Sequence, residues 1–343
     1  MIIDHTLFAT AVTPQERVDF TAKFYPKHSI FGLPRIFFVG MALFTALVFW
    51  WGISLINNGG RTELSGGIIL VAFGLLPFFS LLYRILTYKS KMDRSIKLYR
   101  FATSNGLGYQ LKTPEPIVRS GLIFNAPRTS SRLLYDRVFR DGERPFEIGN
   151  FYYRTRSTYK KHETTHTYGF MRIELDRNLP HMLLDSTVDD IRLPGIHISS
   201  FASAFSKDQV LKLEGDFNDH FTLYAPKEYE TDALYVFTPD LMARFIDFAG
   251  GLNAEIVDNS LYIYSTKPFA LDKPETLETL LGILDTVGVK ALKQTGYYRD
   301  SRAETAGTVA IKGRRLRRSV PYAIIIAIVI LILLDFIESA FGN

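Results

Sequence analysis

At 343 residues, 47% of them hydrophobic, the chain can hold one domain of ordinary size, or two small ones, beside about 60 residues of membrane span. It has no cysteine, which excludes disulfides, thiolate zinc sites and cysteine nucleophiles, so a metal site would have to use the seven histidines and the carboxylates. The formal net charge of +5 would suit a polyanion, but the cations cluster beside apolar runs, so membrane topology accounts for them and no nucleic-acid partner is expected.

In chain order, residues 1–30 lack the basic start and uninterrupted apolar core of a signal peptide. Thr13-Pro14-Gln15-Glu16 is a capping box with proline at the first helical position, so a short helix follows. With Arg17, Lys23 and Lys27 around it, that helix suits either the membrane interface or the surface of a soluble domain. The apolar runs 36–56 and 68–86, joined by the polar loop 57–67, are each about long enough to cross ~30 Å of hydrocarbon as helix. They predict a transmembrane hairpin, with Phe37, Phe38, Trp50 and Trp51 as interfacial aromatics and Gly74 and Pro77 permitting a kink. A third run, 320–334, predicts a C-terminal span. No ionisable side chain sits in the middle of any run, which argues against an ion pathway built by this chain alone.

Arg84, Lys89, Lys91, Arg94, Lys97 and Arg100 follow the second run, and Lys312, Arg314, Arg315, Arg317 and Arg318 precede the third. The positive-inside rule then places the amino terminus and the large domain in the cytoplasm and the hairpin loop and carboxyl tail outside. Arg84, Lys89, Lys91, Arg314, Arg315, Arg317 and Arg318 are the expected membrane-interface cations, and the bilayer is the expected partner.

Beyond the hairpin, residues 91–104 read as a helix ended by Asn105-Gly106. Gly106-Leu107-Gly108 resembles the start of a dinucleotide fingerprint, but Leu111 stands where the third glycine belongs, so no nucleotide cofactor is expected. Strands are predicted over 146–159 and 164–175 around a polar tip, 160–163. Two further hairpins follow, 210–214 with 221–225 and 255–257 with 261–264, the second across Asp258-Asn259-Ser260. A strand over 234–237 leads into a helix capped by Thr238 and Pro239, whose buried stripe is Leu241, Met242, Phe245, Ile246 and Ala249. A last helix runs from Pro274 to Gly288, and the small, polar stretch 301–313 reads as a flexible tether. The expected fold class is therefore α+β. A mostly antiparallel soluble domain is anchored by an N-terminal transmembrane helical hairpin and a C-terminal transmembrane helix. The segments are 1–30, 31–88 for the hairpin, 89–300 for the cytoplasmic domain, 301–319 for the basic tether, and 320–343 for the last span and tail.

His162-Glu163-Thr164-Thr165-His166 matches the H-E-x-x-H pattern of zinc metalloproteases. That chemistry needs a helix, in which residues four apart lie about 6 Å from each other on one face. On a strand they are about 13 Å apart, too far for one zinc. The surrounding threonines and tyrosines favour the strand, Lys160 to Glu163 are polar on every side, and His181 and His197 lack the spacing of a third ligand. The expected reading is a solvated hairpin tip with no metal and no catalytic set. A zinc site at His162, Glu163 and His166 is the alternative.

Residues Leu211 to Phe217, Phe221-Thr222-Leu223-Tyr224-Ala225, Leu234 to Met242 and Asp258 to Ile263 together resemble a bacterial family of membrane-anchored proteins described only as a domain of unknown function. The similarity covers mainly 146–264. It implies a bacterial inner-membrane protein with a cytoplasmic α+β domain, supplies no catalytic residues, and makes the 160–163 tip a variable polar loop. The function expected is a non-enzymatic scaffold, sensor or interaction module beside the bilayer, with a protein partner or a second copy of the chain as further partners. The alternatives are a zinc-dependent membrane protease and an accessory subunit of a membrane complex.

Overall fold

The computed structural model describes residues 6–25, 29–30, 33–58, 61–114, 119–126, 129–156, 163–189, 191–193, 196–198, 205–213 and 216–318. Two compact units divide between Asn105 and Gly106. The expected third span, 320–334, and the tip residues Lys160 to His162 lie outside the described residues.

The first unit holds α1 (Thr6–Ala9), α2 (Pro14–Phe24), a ribbon of β1 (Ser29–Ile30) and β2 (Leu33–Pro34), α3 (Arg35–Asn58) and α4 (Arg61–Ser104). The expected capping box starts α2: Thr13 Oγ1 accepts the Glu16 N–H at 3.2 Å, and Glu16 Oε2 accepts the Thr13 N–H at 2.8 Å. The run 68–86 and the helix at 91–104 are one element, because Thr87-Tyr88-Lys89-Ser90 contains neither glycine nor proline to stop it. Its 44 residues extend about 66 Å, twice the thickness of a hydrocarbon layer. The expected domain boundary at residue 88 therefore falls inside a helix.

Helices α3 and α4 form an antiparallel hairpin whose backbones touch at glycine. A Cβ on Gly67 would stand 2.8 Å from the Gly52 carbonyl oxygen, and one on Gly52 would stand 3.0 Å from the Val71 nitrogen. Only glycine permits that approach, the device by which membrane helices pack in the absence of a hydrophobic driving force. Val39–Asn57 in α3 is long and apolar enough to cross a membrane, whereas the apolar stretch found in α4, Ser65–Leu76, is shorter than a span. Helix α2 lies on the polar half of α4. Arg17 makes a bidentate pair with Asp93 at 2.7 and 3.0 Å, Arg100 reaches Glu16 at 2.8 and 2.6 Å, and Phe20 and Phe24 pack their rings on Tyr99.

The second unit is α+β with an antiparallel sheet. Its seven strands are β3 (Gly108–Pro114), β4 (Thr129–Arg140), β5 (Phe146–Arg156), β6 (Glu163–Ser186), β9 (Val210–Leu211), β10 (Phe221–Tyr224) and β11 (Asn253–Ser265), ordered β3-β4-β5-β6-β10-β9 with β11 on β6. The separate ribbon of β7 (Ile191–Leu193) and β8 (Ile196–Ile198) follows β6. β6, 24 residues long, is the spine. Residues 169–173 pair with β5 and β11 together, and 183–184 with β10 and β11 together, so β5 and β10 share one edge of β6 and β11 takes the other. After β9, α5 (Phe217–His220) precedes β10; α6 (Glu230–Val236) and α7 (Pro239–Ala249) follow it, and α8 (Pro274–Ile283) continues through a π turn at Leu284–Gly288 into α9 (Val289–Thr295). These helices cover one face of the sheet: Gly288 sits against Ile173, and Phe245 meets Phe221 with ring centroids 6.3 Å apart. The opposite face is covered by the turn Leu122–Asn125, where Phe124 packs on Phe151, Phe170 and Tyr262.

Several elements differ from the sequence reading. Residues 255–264 form no hairpin: β11 runs straight through Asp258, whose φ of 55° marks a bulge, because the long edge of β6 pairs with both halves. Residues 234–237 belong mostly to helix α6, where burial of Ala233 and Val236 overrides their preference for strand. The predicted pairing of 210–214 with 221–225 does form, between β9 and β10, with the helical turn α5 in its connection. The segment 301–313 is no loose tether: Val309 is buried and the Ala310 N–H is bonded to Asp300 at 2.9 Å.

The attachment of α2 is acid-sensitive. Hydrogen bonds from Arg100, aided by the Thr13 N–H, hold the Glu16 carboxyl at about 2, against an ordinary 4.5. Because the folded value is lowered, the stabilisation is complete above the ordinary value and is lost as pH falls toward 2. The protection of the residue 14–24 amides, measured against the intrinsic exchange rate at each pH, should therefore fall between pH 4.5 and 2 in the native chain and be already low at neutral pH in Glu16→Ala.

Candidate functional site

In the protease-like motif, His162 lies outside the described residues, and Glu163 and His166 lie on strand β6, not on a helix. Three residues apart on a strand, they project to opposite faces. Glu163 lies among Arg154 and Arg156 at 3.7 and 3.4 Å, while the His166 ring stacks on Tyr153 at 4.7 Å with Nε2 3.1 Å from Thr155 Oγ1. Among the described residues no group of three or more histidines and carboxylates gathers as a metal would need. His197 is in β8, remote in sequence from the motif, and His181 has other partners.

Two buried carboxylates organise the sheet face under the Leu122–Asn125 turn. Glu147, in β5, receives a bidentate pair from Arg119 at 2.9 and 2.8 Å, a further bond from Arg137 in β4, and Arg172 of β6 at 3.8 Å. Burial alone would raise this carboxyl, but Arg119 and Arg137 reverse that and hold it below the usual carboxylate range. Arg137 also donates to Gln110 Oε1 at 2.7 Å, which links β3 to the same cluster.

Glu255, in β11, is 1% exposed. Its Oε2 accepts the Leu122 N–H at 2.7 Å and the Tyr264 hydroxyl at 2.8 Å, and its Oε1 lies 2.8 Å from His181 Nε2. The other histidine nitrogen, Nδ1, accepts the Leu316 N–H at 3.0 Å, so the proton must sit on Nε2 and be donated to Glu255. A Cβ on Gly121 would collide with the Tyr264 hydroxyl, so glycine is required where the covering turn begins. Both imidazole nitrogens and both carboxylate oxygens are engaged. No nucleophile and no open position remain in this group, and what it can do is hold Leu316.

The chain on either side of Leu316 is held equally firmly. The Arg317 N–H and C=O both bond the Gln209 side chain, at 2.8 and 2.9 Å, Arg315 pairs with Asp258 at 2.8 and 3.0 Å, and Arg317 pairs with Asp208. Upstream, Asp300 accepts the Tyr229 hydroxyl at 2.8 Å and the N–H groups of Arg302 and Ala310 at 2.9 Å each. Residues 300–318 therefore form a strap on the domain, contrary to the flexible tether expected for 301–313. The expected interface cations divide accordingly: Lys89, Lys91, Arg314 and Arg318 are exposed, while Arg315 and Arg317 point outward but are ion-paired. Arg84 lies in α4.

Neither carboxylate nor the strap was singled out from the sequence, although each acid interrupts an otherwise apolar strand, Phe146-Glu147-Ile148 and Ala254-Glu255-Ile256. A lone acid inside an apolar strand is the signal that a buried partner exists.

No protein-family model matches the chain, and no curated protein does. Among solved structures, the chain is similar to the mycobacterial trehalose monomycolate transport factor A, TtfA, at 9% identity and a TM-score of 0.31, over 57% of this chain and 96% of that one. At that TM-score the likeness carries no argument. What the fold and site define is a class only: an α+β domain with an antiparallel sheet, joined in sequence to an apolar helix long enough to cross a membrane.

Removing one member of a buried pair leaves the other uncompensated, at a cost of about 3 kcal/mol. Glu147→Ala should lower the unfolding free energy of the second unit by about that amount in denaturant titrations. His181→Ala should leave the sheet folded by circular dichroism but speed tryptic cleavage at Arg314 to Arg318, which the native strap protects.

Proposed function

We propose that the chain is an integral membrane protein whose α+β domain is a scaffold, sensor or interaction module held beside the bilayer. The observation that carries this reading is the surface of the α3–α4 hairpin. Phe44, Leu47, Trp50, Trp51, Ile69 and Phe73 are each more than half exposed, on helices already packed to backbone contact at Gly52 and Gly67. Leaving six such side chains in water forgoes about 10 kcal/mol of burial, as much as a typical domain's whole stability. An apolar medium resolves that. In this reading α3 crosses the bilayer through Val39–Asn57, α4 crosses beside it by extending its Ser65–Leu76 stretch through the rest of the apolar run 68–86, and the apolar run 320–334 supplies the third crossing. The charge distribution orients the amino terminus and domain toward the cytoplasm of a bacterial inner membrane. No cofactor enters this reading, and the strand geometry of Glu163 and His166 supports no zinc protease.

An accessory subunit of a membrane complex is the second reading. It draws on Leu234, Tyr235, Phe248, Val289 and Tyr297, exposed apolar and aromatic residues on and beside α6, α7 and α9. Co-purification of a fixed partner, lost on Tyr235→Asp, would favour it.

The chain lacks cysteine, so single cysteines report topology directly. Asn57→Cys should react with an impermeant maleimide in intact cells, and Glu143→Cys only after the membrane is opened. Equal labelling of both in intact cells, or a protein extracted by carbonate, would contradict the proposal.

A further inference from the structure

We infer that the strap over 309–318 is a rigid membrane-surface mount, with Ile311 as its insertion residue and an anionic lipid surface as its partner. The inference rests on the membrane reading above and adds to it a surface and a lipid chemistry. The strap has two sides. Facing inward, Val309 and Leu316 are buried, and Gly313 lies so flat on the Tyr229 ring that a Cβ there would collide with it. Facing outward, Ile311 is 83% exposed on the short helical turn Ile311–Gly313, next to Lys312, Arg314, Arg315, Arg317 and Arg318.

An aliphatic side chain held out among exposed cations close to it in sequence is the composition of an interfacial anchor: the apolar group enters the headgroup boundary while the cations attract anionic lipid. Lys312, Arg315 and Arg317 share their charge with Glu228, Asp258 and Asp208. Arg314 spends its Nε–H on the Val309 carbonyl at 2.7 Å, and among the described residues no carboxylate pairs with Arg314 or Arg318. These two supply the net positive charge. The apolar run 320–334 begins two residues after Arg318, so the strap lies where the chain would meet the membrane. Because Asp300, His181 and Gln209 fix the strap to the domain, inserting Ile311 fixes the domain's tilt on the bilayer as well.

The test is a nitroxide on Ile311→Cys in the otherwise cysteine-free full chain, with Glu143→Cys as aqueous control, in nanodiscs of phosphatidylcholine with or without phosphatidylglycerol. The mount predicts that label 311 is more accessible to oxygen than to a water-soluble nickel chelate when phosphatidylglycerol is present. That preference should shrink several-fold with phosphatidylcholine alone or in Arg314→Gln/Arg318→Gln, while label 143 stays aqueous throughout. A label at 311 as aqueous as that at 143, in discs that contain the protein, overturns the mount and leaves the membrane reading standing. Immobilisation without oxygen access overturns it in favour of a protein contact. Failure of the chain to enter discs removes both readings.

Discussion

A charged carboxylate taken out of water must find partners, and two such groups shape the second unit. Glu255 and Glu147 each sit near the start of a strand, beneath the same covering turn, and each draws in chain from distant parts of the sequence: Leu122 and Arg119 from the covering segment, Tyr264 and Arg137 from the sheet, and, through His181, Leu316 from the far end. The desolvation that makes these groups costly alone makes the assembled set specific, since no member can leave without stranding another. The strap is thus a consequence of β6 and β11, and not an appendage to them.

That arrangement bears on what the proposed membrane attachment could do. A loose linker would let the domain diffuse about its anchor. Within the second unit, the approach to the third apolar run is instead bonded to the domain; within the first, taken by itself, α4 is one uninterrupted helix from its apolar stretch to Ser104, pinned along its polar half by α2. Under the proposed membrane reading, a strap bonded to its own domain suits a module whose orientation matters, such as one that presents a face to a partner.

Much of the local structure was legible in residue order. The capping box at Thr13, the proline-led helix after Thr238, the strand composition of 164–175 and the apolar run in α3 all announce themselves within a few residues, and the antiparallel α+β class follows from them. The misreadings share one cause, which is that long-range pairing outweighs local preference. Asp258-Asn259-Ser260 has the composition of a turn, yet the edge of β6 makes it a bulge. Leu234-Tyr235-Val236 has the composition of a strand, yet packing makes it helix. The polar segment 301–313 has the composition of a linker, yet Asp300 and Tyr229 hold it. The latch at Glu255 and His181 was invisible for a related reason: its members lie 74 residues apart, and no spacing rule connects them.

The central claim, that the strap is part of the folded domain and not a linker, is tested most directly by amide hydrogen exchange of the full chain in nanodiscs. The Leu316 and Arg317 amides, bonded to His181 and Gln209, should exchange as slowly as those in the middle of β6. Exchange at those two positions as fast as in an unstructured peptide, with β6 still protected, would contradict it.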